Sequence, residues 1–159
     1  MKIRLGFISN SSSASYTLYL RGDHPSLYKL ICQKLEIFQM RSLMQEQKRV
    51  MKYLASAIAR EKKKKPEIFD WDNATYWQNK LHALNTIISS FSRLSDQEKV
   101  HQILIYHQYI VCVSSLGDLG VSGWVSMWNG DEDLSPTVQS LKKLAEKHKI
   151  PFMLNVSSD

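Results

Sequence analysis

The spacing of apolar and polar positions divides the chain into a β-forming opening, a long helical middle and a close of strands around one more helix. At the start, the run from Lys2 to Ile8 meets the hydroxyl- and amide-rich segment Ser9 to Ser15, and Tyr16-Thr17-Leu18-Tyr19-Leu20 is again β-forming. Ser and Asn side chains bond nearby backbone amides and favour turns, so this pattern predicts a β-hairpin with the Ser-rich segment as its turn. Asp23-His24-Pro25 then has the form of a helix start. Leu27, Leu30, Ile31, Leu35 and Phe38 follow helical spacing, and Met44, Met51, Leu54 and Ile58 resume it after a polar stretch. One long helix or two with a kink satisfy that pattern equally. Lys62-Lys63-Lys64-Lys65-Pro66 ends it, because proline expels the preceding residue from helical geometry.

From about Asn73, Trp77, Leu81, Leu84, Ile88 and Phe91 form a stripe at alternating spacings of four and three. Such a stripe needs a partner, which predicts an antiparallel helical hairpin over about residues 25–94 with a coiled-coil-like seam. Ser95-Asp96-Gln97-Glu98 has the spacing of a capping box. A short helix should follow, although Ile103 to Tyr106 is also compatible with a strand. Tyr109 to Val113 is a dense β-forming run, Val121 to Trp128 alternates with period two, and Asn129 to Asp133 reads as a turn. Ser135-Pro136 opens a last helix and Ile150 to Val156 is a last strand. The expectation is one α+β domain over residues 1–159. It has a small, mostly antiparallel sheet, with the long helical hairpin and a C-terminal helix packed on one face.

Composition narrows the picture. The chain has 159 residues, 43% of them hydrophobic, with six glycines and four prolines, enough to bury a core without disulfide or metal. Cys32 and Cys112 have neither metal-ligand nor redox spacing and read as apolar thiols of a reducing compartment. The opening apolar run is too short for a signal peptide and no stretch is long enough to span a membrane, so a cytoplasmic protein is expected.

The net charge of +6 is unevenly placed. Nine Lys or Arg residues stand between Arg41 and Lys65 against Glu46 and Glu61 alone, whereas Asp118 to Asp133 holds four acids and no base. A basic face attracts polyanions, which makes Lys48, Arg49, Lys52, Lys62, Lys63, Lys64 and Lys65 a candidate nucleic-acid patch. The alternative is a solvated helix face, since Arg41, Lys48, Lys52 and Arg60 together do not form one narrow stripe. Asp131-Glu132-Asp133 with Asp118 lacks the spacing of a calcium loop and any neighbouring histidine, so no metal or cofactor is expected.

Alternation places Trp124 and Trp128 on the face of their strand opposite Val125 and Met127, and Tyr19 opposite Leu18 and Leu20. These three aromatics are the candidate binding face, for a partner protein, a nucleotide base or a second copy, unless a loop of the same chain covers them. Ser9, Asn10, Ser11, Ser12 and Ser13 are a candidate anion cradle, although the glycines and lysine of a phosphate loop are missing. No nucleophile with an identifiable base emerges, and catalysis is not expected.

The segment Gly6-Phe7-Ile8-Ser9-Asn10-Ser11-Ser12-Ser13-Ala14-Ser15-Tyr16 resembles the GFVSNSSSSSF-like opening of a loose group of small phage and bacterial proteins of unknown function, departing from it at Ile8, Ala14 and Tyr16. The resemblance implies a phage-like origin and carries no activity with it. The function expected is that of a non-enzymatic accessory protein binding a host macromolecule, with inhibition of a host defence or regulatory system as a specific form. The alternative is a nucleotide or nucleic-acid binder, including one that captures a signalling nucleotide.

Overall fold

A computed structural model describes residues 12–22, 27–63, 73–128, 131–132 and 134–158. Strand β1 (Ser12–Leu20) is followed by helices α1 (Leu27–Lys34), α2 (Met40–Glu61), α3 (Ala74–Ser90) and α4 (Asp96–Tyr106). Strands β2 (Ile110–Val113), β3 (Leu119–Trp128) and the two-residue β4 (Asp131–Glu132) come next, then α5 (Pro136–Lys147) and β5 (Phe152–Ser158). The strands form one antiparallel sheet in the order β2-β3-β1-β5, with β4 pairing the far end of β3. The α+β architecture expected from the pattern is the one found.

The opening differs from the expected hairpin. Ser12 to Ser15 belong to β1 and are not a turn, and Tyr16 to Leu20 pair with β3 on one side and β5 on the other. Both hydrogen-bonding edges of that strand are thus taken by segments distant in sequence, and the other expected hairpin strand is Lys2 to Ile8. Those residues lie outside the described ones. The acidic "turn" differs too, since Asp131 and Glu132 pair with Trp128 and Met127.

The long helical pattern resolves into two helices. A 3-10 turn, Glu36–Phe38, separates α1 from α2, and both flanking residues, Leu35 and Gln39, are extended. Neither Pro nor Gly stands at this break. Phe38 is driven into the core instead, and the amide of Gln39 donates to the Gln33 carbonyl across it. On α2 the buried residues Leu43, Val50 and Ala57 recur every seven, and α3 answers with Ala74, Leu84 and Ile87. The antiparallel register is fixed by the Ala74 amide on Glu61 Oε1, the stacked rings of Tyr53 and Trp77 at 4.8 Å, and Gln47 donating to Asn85 at 2.7 Å.

Residues 96–106 are helical, started by a reciprocal capping box between Ser95 and Glu98. Ser135 caps α5 ahead of Pro136 as its sequence requires. All these helices lie on one side of the sheet, where Leu18, Leu20, Leu119 and Val121 share a buried cluster with Leu27, Ile31, Ile103, Val138 and Leu141.

Two loops at one end of the sheet touch so closely that only glycine fits. A Cβ on Gly22 would stand 2.0 Å from the Gly117 carbonyl carbon, and Gly117 itself holds φ +86°. The Gly22 amide donates to Asp118 Oδ1 at 2.7 Å, and the Tyr28 hydroxyl donates to the Gly117 carbonyl at 2.7 Å. Asp118 therefore has a structural task separate from the acidic segment with which the sequence groups it.

Candidate binding surface

The register of the sheet builds its outer face row by row. In one transverse row Cys112 of β2 faces Gly120 of β3, which faces Tyr19 of β1, which faces Met153 of β5. The next row runs Ile110, Ser122, Thr17 and Asn155, and the one after it contains Trp124, Ser15 and Ser157. Side chains directly opposite on neighbouring strands point the same way. The first row is thus an apolar band across the whole sheet, and the second is polar except at its Ile110 end.

That band is open. Met153 is 54% exposed and Tyr19 39%, Cys112 is exposed as well, and Ile110, flanking the band in the next row, is 67% exposed. The Tyr19 ring and the Cys112 sulfur close over Gly120, where a Cβ would meet the sulfur at 2.4 Å and the ring at 3.2 Å. Glycine here lets the tyrosine lie flat across the strand. Beside it, Thr17 and Ser122 bond hydroxyl to hydroxyl at 2.8 Å. A shallow depression of about 370 Å³ between Tyr19, Arg21, Asp118, Pro151 and Met153 continues the band past the sheet's end.

Of the three aromatics picked from sequence, Tyr19 stands where alternation placed it, while Trp124 pairs with Ser15 and Trp128 with Asp131 along β3. Along the backbone both are well separated from Tyr19. Trp124 is four residues along β3 from the position opposite Tyr19, about 13 Å away, and Trp128 about 26 Å. The neighbours of Tyr19 are instead Ile110, Cys112 and Met153. The sequence hides them because Tyr109 to Val113 and Phe152 to Leu154 are apolar at every step, so period two cannot tell which residues face out.

The other candidates are dispersed. Ser9, Asn10 and Ser11 lie outside the described residues, and Ser12 and Ser13 pair with Met127 and Ser126 within the sheet. Lys64 and Lys65 also lie outside them, while Lys48, Arg49, Lys52, Lys62 and Lys63 are exposed. Because α2 is continuous, Arg41, Lys48 and Lys52, spaced seven and four apart, do share one face opposite the buried Leu43, Val50 and Ala57. Arg60 is turned about 100° from it. Arg49 is engaged with Glu46 at 2.6 Å.

A polar cluster that the sequence does not announce sits where α2, α3 and α4 meet. The Tyr106 hydroxyl donates to Glu46 Oε1 at 3.1 Å, the Arg49 guanidinium holds the other carboxylate oxygen, and the Tyr106 and His107 rings meet edge to face. Burial works against the Glu46 charge, but its bonds from Arg49 and Tyr106 keep its pKa below the usual carboxylate value. Burial lowers the His107 pKa and raises that of Tyr106. Every member thus has a structural partner, and Cys32, its thiol pushed up to about 11 by burial and then by Asp96, stays protonated at neutral pH.

Among the described residues no group of three or more His, Cys, Asp or Glu is placed to hold a metal ion, and no helix is long and apolar enough to cross a membrane. Neither a protein-family model, nor a curated protein, nor a solved structure matches this chain.

Proposed function

We propose that this chain is a non-enzymatic accessory protein of phage type that binds a host macromolecule through the outer face of its sheet, acting as an inhibitor of a host defence or regulatory system. The observation that carries this reading is the open apolar band Cys112–Gly120–Tyr19–Met153 flanked by Ile110, on a sheet whose opposite face contributes Leu18, Leu20, Leu119 and Val121 to the core. Exposed aromatic and aliphatic side chains on a rigid, hydrogen-bonded platform are the usual anchors of a protein interface. The phage part of the reading rests on the resemblance of Gly6 to Tyr16.

The test is affinity capture from nuclease-treated bacterial lysate, comparing the wild-type chain with the combined variant Tyr19→Ser, Ile110→Ser and Met153→Ser. A stoichiometric host protein held by the wild type and lost by the folded variant supports the reading. A host protein held equally by both would move the interface elsewhere.

A second reading is favoured by one specific observation, the exposed row Arg41, Lys48 and Lys52 on α2. Such a row suits the phosphates of a nucleic acid, and binding would weaken steeply with salt. Reversing Lys48 and Lys52 to Glu should then remove the salt-dependent part of binding to a long duplex while leaving the protein partner of the first reading in place.

A further inference from the structure

Helix α3 carries two stripes. One, with Trp77, Leu81, Leu84 and Ile88, packs on α2 and the core. The other, Tyr76, Lys80, Ala83 and Ile87, repeats at spacings of four, three and four and faces α4. Helix α4 has only 11 residues and turns Val100, Ile103 and Leu104 into the core, so it covers this second stripe incompletely. What remains between the helices is a groove of about 500 Å³, floored by Ile87 and Tyr106 and lipped by Ile105, which is 57% exposed. That volume is in the range of small-molecule sites.

Among the described residues Lys80 is the charged member of the groove's lining. Its ammonium lies 5.3 Å from the Tyr106 ring centre, 5.7 Å from Tyr76 and 5.9 Å from Trp77. Half-buried among three rings, it has no ion pair with any described carboxylate. The acid in this region, Glu46, is already held by Arg49 and the Tyr106 hydroxyl. The ring faces hold the lysine in place, yet they compensate its charge only in part.

We propose that this groove is a binding site for a small organic anion with an apolar body and one negatively charged group, the body lying along Tyr76, Ala83 and Ile105 and the charge meeting Lys80. An apolar ligand alone would leave the ammonium further desolvated and unpaired, and a polyanion would find no second cation among the described residues of the lining. The site is separate from the outer face of the sheet, so its fate does not depend on the binding surface proposed above.

The probes are 1-anilinonaphthalene-8-sulfonate and N-phenyl-1-naphthylamine, which share an aromatic body and differ by the sulfonate. Fluorescence titration of the full chain should show saturable one-to-one binding of the sulfonate at least about tenfold tighter than that of the neutral amine, the difference a charge-assisted contact makes. Lys80→Gln should erase this difference. Ala83→Trp, at an exposed position that would fill the groove, should block both probes, and Thr86→Trp repeats the test should that variant not fold. Equal affinity for the two probes, a preference that survives Lys80→Gln, or binding abolished by Ile110→Ser with Met153→Ser but not by Ala83→Trp would each overturn the proposal.

Discussion

The two faces of the sheet are made by the same strands, yet they obey different rules. On the inner face Leu18, Leu20, Leu119 and Val121 are fully buried under three helices, so each side chain is fixed by neighbours on all sides. On the outer face, one residue away in each strand, Tyr19, Ile110 and Met153 are open, and only the fit of Tyr19 and Cys112 over Gly120 is close. The difference teaches where selection for folding ends in this chain. An apolar residue on the inner face is explained by the core, whereas one on the outer face has no folding reason to be apolar.

The sharpest way to break this contrast is Leu18→Ala, which should cost about 2–5 kcal/mol in urea denaturation because a fully buried leucine leaves a cavity. A loss under about 1 kcal/mol would mean that the inner face is not the core. Next comes Gly120→Ala, the one outer-face change expected to hurt. Its Cβ meets the Cys112 sulfur, and a cost of about 1–2 kcal/mol should be largely restored by adding Cys112→Ala.

The two thiols report the same division kinetically. Cys112 should react with a disulfide reagent at pH 8 at least about tenfold faster than Cys32, which is half-buried and protonated. Burial raises the folded pKa of Cys32 from 9.0 to about 11. Its contribution to stability is therefore complete below pH 9 and lost as pH rises toward 11, because the unfolded chain ionises first. Cys32→Ala should lessen the alkaline decline in melting temperature, and an identical decline would count against the burial. The smallest effect belongs to Ile110→Ser, within about 0.5 kcal/mol of wild type, measured by the same denaturation. A larger loss would show that the outer face is covered after all.

Much of the fold was legible because its local signals are strong. The Ser95–Glu98 capping box, Ser135-Pro136 and the stripe from Trp77 to Ile88 each satisfy backbone groups or bury a face using residues within a few positions. The helix break at Leu35–Gln39 was not legible, since no proline or glycine marks it and the burial of Phe38 makes it. Nor was the fate of the Ser-rich opening. Ser and Asn favour turns locally, but Ser12 to Ser15 are drawn into β1 by pairing with β3 more than 100 residues away. Of the candidate surface, Tyr19 was readable from alternation, while Ile110, Cys112 and Met153 were concealed in uniformly apolar runs.

The sequence by itself determined the α+β class, the antiparallel pairing of α2 with α3 and the starts of α4 and α5. Periodicity and capping are properties of neighbours along the chain. Only the tertiary structure decided the strand order β2-β3-β1-β5, the apolar band that this order assembles across four strands, and the groove in which Lys80 stands without an ion pair among the described residues. Each of these joins residues far apart in sequence, and which of them meet is set by packing free energy summed over the whole core.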